Sequence, residues 1–213
     1  MLKLYGYWRS SAAYRLRIAM NLKGLAYEQV SVNIAPSASA QKAADFRAIN
    51  PQMRVPVLET ERGFLTQSMA ILEWIEETYP QTPMLPDDPF HKAECRAFAD
   101  TIATDVHPLN NLSVLVALKQ DFEASPDQVN AWYADWILRG FAALEVGAQK
   151  REGAFLFGDG PGLAEICLIP QMYNARRYAV DLSDFPALVE VDATCMALPA
   201  FQRAAPEAQP DAT

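Results

Sequence analysis

The stretch Leu4-Tyr-Gly-Tyr-Trp-Arg-Ser-Ser-Ala-Ala-Tyr-Arg-Leu-Arg-Ile-Ala-Met20 changes from a strand-like to a helix-like pattern within a few residues. Its apolar start is typical of a short buried strand, and Gly6–Arg9 is typical of a turn. From Ser10 onward apolar residues recur at helical spacing, and Gly24 is a helix stop signal. Ser10 or Ser11 is therefore predicted to begin a helix, where free backbone N–H groups and the positive end of the helix dipole attract anions.

A serine at a helix start has an ordinary role and a chemical one. Its ordinary role is to cap the helix by accepting a backbone hydrogen bond. Its chemical role would be to donate a hydrogen bond to a thiolate and so favour the ionised form of that thiol. Arg9, Arg15 and Arg17 lie within nine residues of one another. This concentration of positive charge favours the second role.

The net charge narrows the classes of ligand. The 213 residues can form one large domain or two small ones, and their net charge is −8. An acidic surface repels the phosphates of nucleic acids and the headgroups of anionic membranes, so we expect neither partner. An anionic substrate would need a local basic pocket, for which the early arginines and Arg176-Arg177 are the suppliers.

Cysteine usage and the N-terminus indicate a cytoplasmic protein. Cys95, Cys167 and Cys195 are odd in number and widely spaced, as expected of buried, reduced thiols. His91 and His107 show no ligand spacing with each other or with the cysteines, so we expect no metal site. The N-terminus has neither signal-peptide nor transit-peptide character, and no run approaches the roughly 20 apolar residues of a membrane helix.

The chain divides into a mixed part and a helical part. Residues 1–81 show the order β-α-β-β-β-α, and the proline-rich residues 82–89 are typical of a linker. Residues 90–204 carry helical periodicity, and we expect the Pro/Ala-rich residues 205–213 to be disordered. The pattern thus predicts an α/β domain followed by an all-α domain.

Prolines predict three local irregularities. Val55-Pro56 stands within an apolar strand-like run, so it belongs at the edge or beginning of a strand, or it carries a cis peptide. Pro108 predicts a bend or break in the helical pattern over 90–119. Pro170 predicts that the helix over 163–180 is interrupted or capped there.

Four sets of residues together resemble the glutathione transferases. Ser10–Ala19 resembles the serine-rich signature of the zeta class, the maleylacetoacetate and maleylpyruvate isomerases. The other sets resemble the family's cis-proline, its glutathione clamp and the folding motif of its helical domain: Val55-Pro56, Gln67-Ser68, and Gly158-Asp159 with Leu163-Ala164-Glu165. The resemblance runs nearly the whole chain. It implies a thioredoxin-like α/β N-terminal domain and an all-α C-terminal domain, the glutathione transferase fold.

Three residues depart from the family pattern. Ala12 stands where many maleylacetoacetate isomerases have cysteine, so a cysteine-assisted variant of those enzymes' chemistry is excluded. In the helical-domain motif, Gly162 stands where the family usually has serine or threonine, and Glu165 stands where it usually has aspartate. Because glycine offers no side-chain acceptor, we expect a helix start there that is weaker by about a few tenths to 1 kcal/mol.

The resemblance implies a glutathione-dependent cis–trans isomerase of aromatic-compound catabolism. Its substrate would be a small maleyl keto acid with two carboxylates, maleylpyruvate or maleylacetoacetate, converted to the fumaryl form. A glutathione thiolate would add to the alkene, the resulting single bond would rotate, and elimination would regenerate glutathione. His107 and Ala12 favour maleylpyruvate.

The resemblance also implies roles for individual residues. Ser10 is our first choice as hydrogen-bond donor to the thiolate, and Ser11 is the second. Arg9 and Arg177, with Arg176 as a third candidate, would bind the substrate carboxylates, because a guanidinium binds a carboxylate bidentately and stays charged. Six residues match the family's glutathione contacts: Gln67 and Ser68 for the γ-glutamyl carboxylate, Val55 for the cysteinyl backbone, Gln41 for the glycine end, and His107 with Asn111 from the helical domain.

Two other functions share these features. A glutathione transferase or dehalogenase acting on small α-halo acids would use the same thiolate and arginines but would consume glutathione. A non-enzymatic glutathione-binding protein of the same fold would bind glutathione weakly, and its binding would not depend on Ser10. The resemblance further implies a homodimer.

Overall fold

The computed structural model describes residues 1–212, which form two compact units. The first unit comprises Met1–Pro83 together with the C-terminal segment from Ala197, and the second comprises Met84–Met196. The first unit contains the strands, and the second is helical. The predicted fold class is therefore confirmed. Within the described residues no helix is long and apolar enough to cross a membrane.

The first unit is built on a four-stranded sheet. Its strands are β1 (Leu2–Gly6), β2 (Tyr27–Ser31), β3 (Val57–Thr60) and β4 (Gly63–Thr66). They lie in the order β2-β1-β3-β4. β1 is parallel to β2 and antiparallel to β3, and β3 is antiparallel to β4.

Helices account for most of the remaining chain. They are α1 (Ser11–Leu22), α2 (Ala44–Ile49), α3 (Ser68–Thr78), α4 (Pro89–Asp100), α5 (Leu112–Gln120), α6 (Pro126–Ala148), α7 (Leu163–Arg177), α8 (Pro186–Met196) and α9 (Pro199–Ala204). The break predicted at Pro108 is confirmed, because α5 begins only after it. The interruption predicted at Pro170 is wrong, because α7 continues through that residue. Twelve of its fifteen residues are buried, and this packing outweighs the local cost of the proline.

The C-terminal segment is ordered as far as the structure describes it, so the disorder expected beyond residue 204 is wrong. Pro206–Ala208 form a 3-10 turn, and the buried Gln209 donates hydrogen bonds to two carbonyl oxygens of the same segment. Arg17 Nε and Asn21 Nδ2 on α1 each donate to a carbonyl oxygen of α9, at 2.9 Å. These long-range bonds place α9 in the first unit rather than in the helical one. Thr213 lies outside the described residues.

The start of α7 uses a backbone carbonyl oxygen in place of a capping side chain. Leu163 N donates to Met84 O at 2.7 Å, and Glu165 accepts from Gly162 N and Leu156 N at 2.8 and 2.6 Å. A Cβ on Gly162 would lie 2.5 Å from Met84 O. Leu163 N therefore has an acceptor although Gly162 has no capping side chain, and the neighbouring backbone occupies the space that such a side chain would need.

Gly162→Ser should lower the free energy of unfolding by about 1–3 kcal/mol, although serine is the better residue at an ordinary helix start. The new Cβ would press against the Met84 carbonyl oxygen, which the hydrogen bond from Leu163 N holds in place. Gly160→Ser in the same loop is the matched control, since nothing lies within 4 Å of its added Cβ. Urea unfolding midpoints compare the two variants. A Gly162→Ser protein as stable as the control would contradict the clash.

Candidate active site

Four connecting segments leave the sheet of the first unit at one edge. Parallel pairing puts Gly6, at the end of β1, beside Ser31, at the end of β2. Antiparallel pairing puts Tyr5 opposite Val57 and Val57 opposite Thr66. The segments after β1, after β2, before β3 and after β4 therefore share this edge. They carry the site residues predicted in this unit: Arg9, Ser10, Ser11, Gln41, Val55, Gln67 and Ser68.

Ser10 caps α1 and keeps its own proton available. Its Oγ accepts a hydrogen bond from Ala13 N at 3.3 Å, and its carbonyl oxygen accepts from Tyr14 N. A serine hydroxyl that accepts in this way can still donate its one O–H to another group. Ser11 is the first residue of the helix and is buried, whereas Ser10 is half-buried. Capping and donation to a ligand are thus compatible at Ser10.

Arg9 lies exposed on two aromatic rings. Its guanidinium carbon lies 4.5 Å from the centroid of the Trp8 ring, and its Nη2 donates to Tyr7 Oη at 3.2 Å. Both aromatic side chains are buried. Stacking on a fixed ring limits the orientations of the planar guanidinium while leaving its other N–H groups open. Arg9 is therefore pre-oriented for an anion.

The start of α3 presents a second anion-binding geometry. Gln67 precedes the helix with φ +68° and makes no side-chain capping bond to it. Ser68, the first helical residue, is buried, and Arg15 Nη1 donates to its Oγ at 3.2 Å. Arg15 is itself 2% exposed, so a cation lies directly behind a helix N-terminus. Both features favour a carboxylate at this position.

The loop before β3 is braced by residues to which the sequence assigned no role. Asn50 Nδ2 donates to Arg54 O at 2.7 Å, and Asn50 Oδ1 accepts from Gln52 N. Gln52 Oε1 in turn accepts from Gln67 Nε2 at 2.8 Å. The motif Asn50-Pro51-Gln52 thus connects the predicted clamp residue Gln67 to the loop that carries Val55.

Val55 and Gln41 complete this edge. The Val55-Pro56 peptide is cis, as the resemblance implied. Gln41 lies in a single 3-10 turn, Ala40–Lys42, that follows β2. Its Oε1 is a buried acceptor with no hydrogen-bond partner among residues 1–212. A buried acceptor left unsatisfied is costly, so this oxygen suits a ligand that offers an N–H group.

In the helical unit, the predicted residues His107 and Asn111 lie on either side of the short turn that joins a π-helix to α5. The π-helix, Thr101–Val106, closes with His107 N donating to Ile102 O. Asn111 caps α5 by accepting from Ser113 N at 3.0 Å. Two hydrogen bonds connect α6 to the turn between His107 and Asn111. Trp132 Nε1 donates to Leu109 O, and Asn110 Nδ2 donates to Tyr133 O.

The adjacent arginines at the end of α7 have different partners. Arg176 Nη2 lies 2.6 Å from Asp192 Oδ2 on α8, and this carboxylate is buried. Arg177 is exposed; it lies over the ring of Tyr178, and its Nη2 donates to Tyr178 Oη at 3.0 Å. Tyr178 stacks on the buried Tyr133 with ring centroids 3.6 Å apart. Arg176 is engaged within the fold, and Arg177 remains available to a ligand.

Comparison with known proteins identifies the family. The sequence model of one protein family, the glutathione S-transferase N-terminal domain, matches residues 1–77. A maleylpyruvate isomerase from a Ralstonia species is 45% identical over 99% of this chain and 99% of its own length. The chain belongs to the glutathione transferases, zeta class.

Two solved structures agree with this assignment. The holo structure of a maleylpyruvate isomerase, a bacterial glutathione S-transferase of the zeta class, has a TM-score of 0.96 and 44% identity, covering 99% of this chain and 100% of that one. A maleylacetoacetate isomerase from Methylobacterium extorquens, with bound malonate and glutathione, has a TM-score of 0.94 and 37% identity over 99% of each chain.

In this zeta-class chain Arg176→Ala should destabilise the fold by about 1–3 kcal/mol, because it leaves the Asp192 carboxylate buried without its cation. Burial raises the pKa of Asp192, and the charge and hydrogen bond of Arg176 make that rise smaller. A raised folded-state pKa stabilises only at low pH, and that contribution is lost as pH rises through the folded value. The deficit of Arg176→Ala should therefore grow from acidic to neutral pH.

Arg177→Ala is the matched control, since Arg177 is exposed and its bond goes to an exposed hydroxyl. It should leave the unfolding free energy within about 0.5 kcal/mol of wild type at every pH. Denaturant unfolding from about pH 4 to about pH 8, which covers the titration of a carboxyl with a raised pKa, gives the free energy of unfolding of both variants. Equal stabilities of the two variants would contradict the different roles of the pair.

Proposed function

We propose that this protein catalyses the glutathione-dependent cis–trans isomerisation of a maleyl keto acid, maleylpyruvate or maleylacetoacetate, to the fumaryl form in aromatic-compound catabolism. The observation that carries the proposal is the adjacency of Arg9 and Ser10 at the start of α1. One residue presents an oriented guanidinium, and the next presents a hydroxyl at a helix N-terminus. The full-length similarity to a maleylpyruvate isomerase supports the same reaction.

The first unit fits glutathione by its donors and acceptors. The start of α3, backed by Arg15, suits the γ-glutamyl carboxylate. Gln41 offers a buried acceptor for an N–H group of a peptide. We assign Gln67 and Ser68 to the γ-glutamyl end, Val55 to the cysteinyl backbone and Gln41 to the glycine end. His107 and Asn111 of the helical unit are the remaining proposed contacts.

Glutathione, when bound, supplies the sulfur nucleophile, which is regenerated at the end of the reaction. Ser10 holds the sulfur in its ionised form by donating its O–H, and the N-terminal dipole of α1 acts in the same direction. Ser11 is the second candidate for this donation. Arg9 and Arg177 bind the substrate carboxylates, and their charge persists at every working pH. Arg176 is the weaker candidate because Asp192 already engages it.

The protein's own thiols are unsuited to act as the nucleophile. Cys95, Cys167 and Cys195 are all buried and reduced. Burial raises the pKa of Cys95 to about 12 and raises the pKa of Cys195 as well. Ala12 places no thiol in the first turn of α1. The reacting sulfur must therefore come from a bound molecule.

We also propose that the protein is a cytoplasmic homodimer. Three buried free cysteines suit a reducing compartment, and the family resemblance supports the dimer. Sedimentation equilibrium of the purified protein measures the mass directly, and a monomer at every concentration would contradict the dimer.

The purified protein with glutathione should convert maleylpyruvate or maleylacetoacetate, seen as loss of the substrate's ultraviolet absorbance. Glutathione should be recovered in full, because it is regenerated. Loss of glutathione in proportion to turnover, with small α-halo acids as substrates, would favour the dehalogenase. Weak glutathione binding without turnover would favour the non-enzymatic protein. Side-by-side kcat/KM values for the two maleyl acids identify the preferred one, for which we expect maleylpyruvate.

Ser10→Ala and Ser10→Gly separate the capping role of Ser10 from its role toward sulfur. Alanine at the cap costs about 0.5–2 kcal/mol, whereas glycine there costs only about a few tenths of a kcal/mol. Both variants lack the hydroxyl, so both should lower kcat by about 10²-fold and raise the pH at which bound glutathione shows thiolate absorbance. Ser11→Ala should change either property far less. The reverse order would assign the donation to Ser11.

A further inference from the structure

The turn that carries Arg9 is connected to the C-terminal segment twice, once directly and once through Arg17 of α1. Trp8 N donates to Asp211 Oδ2 at 3.2 Å, and Trp8 O accepts from Arg17 Nη2 at 2.9 Å. The same Arg17 donates through Nε to Ala204 O. Both backbone polar groups of Trp8 are therefore engaged, one directly by Asp211 and the other through Arg17 to α9.

The Asp211 carboxylate is itself fixed on the edge of β2. Ser31 Oγ donates to Oδ2 at 2.8 Å, and Gln29 Nε2 donates to Oδ1 at 3.1 Å. Gln29 and Ser31 are two residues apart on a strand, so their side chains lie on one face. Three donors converge on one carboxylate, and it can bridge the end of β2 to the turn after β1.

Arg9 depends on this bridge more than Ser10 does. Among residues 1–212, the hydrogen-bond and ring contacts of Arg9 are with Tyr7 and Trp8. Ser10 is held by α1 itself, since its Oγ accepts from Ala13 N and its carbonyl oxygen accepts from Tyr14 N. Movement of Trp8 would therefore displace the guanidinium while the cap of α1 persists.

We propose that Asp211 is a positioning residue for the substrate-carboxylate site, acting by fixing Trp8 and hence the guanidinium of Arg9, an inference that rests on the proposed role of Arg9. The C-terminal segment thereby contributes to binding of the dicarboxylate without touching it. Glutathione binding should change little, because Gln41, Val55, Gln67 and Ser68 lie in other segments and Ser10 keeps its place at the cap of α1.

Three variants test the role. Asp211→Ala removes all three bonds and should raise KM for the maleyl acid about tenfold, with kcat and KM for glutathione within about twofold of wild type. Asp211→Asn should be close to wild type, because its oxygen can still accept from Trp8 N and Ser31, and the amide of Gln29 can turn to accept from the new Nδ2. Ser31→Ala leaves the Trp8 bond intact and is the matched control.

A double-mutant cycle with Arg9 separates positioning from general loss of order. In an Arg9→Ala background, Asp211→Ala should raise KM for the maleyl acid less than about twofold further, because there is no guanidinium left to position. Equal effects in the two backgrounds would overturn the proposal. So would an Asp211→Ala protein with wild-type KM.

Two measurements need no turnover, so they test the positioning role of Asp211 separately from the proposed reaction. Hydrogen–deuterium exchange of the peptide covering residues 7–10 should accelerate in Asp211→Ala but not in Ser31→Ala. Calorimetric affinity for malonate, a non-reacting dicarboxylate, should fall about tenfold in Asp211→Ala. If wild type turns over neither maleyl acid, the reaction is wrong. If exchange at residues 7–10 is unchanged in Asp211→Ala, the positioning role is wrong whatever the reaction.

Discussion

One buried cation joins the two ends of the first unit. Arg17 is 1% exposed, and it donates to the carbonyl oxygens of Trp8 and Ala204 while its guanidinium lies 5.2 Å from the centroid of the Tyr14 ring. A buried guanidinium is tolerated only where acceptors and a polarisable face replace its hydration. The turn after β1 and the end of α9 each supply an acceptor, so a shift of either one costs the buried cation a hydrogen bond.

That dependence explains what the sequence could predict and what it could not. The helical character of residues 90–204 follows from local periodicity, and the structure has helices there as far as α9. The order of residues 205–212 does not follow, because a Pro/Ala-rich segment has little local preference for structure. Its order comes from bonds such as Ser31 Oγ to Asp211, which join residues 180 positions apart. Composition carries no information about such pairs.

The same distinction applies to the site. Helix-start and charge patterns predict an anion-binding helix start at Ser10 with Arg9 beside it, since those properties are local, whereas the role of Ser68 was implied by the family resemblance. The choice between Arg176 and Arg177 is not local. Adjacent helical residues point about 100° apart, but which one meets an acidic partner depends on Asp192 of another helix. Gly162 is similar, because the carbonyl that occupies its side-chain space comes from Met84, far away in sequence.

Placement also explains how a chain with net charge −8 can select an anion. Surface charges are screened within about 10 Å at 0.1 M salt, whereas buried ones are screened much less. Arg15 is 2% exposed and donates to Ser68 at the start of α3, so little water screens its charge from a ligand bound there. Arg9 stands outside on a fixed ring, where it can meet a second carboxylate directly. In the proposed function, a few arginines at one edge of the sheet, rather than the net charge of the surface, select the bound anion.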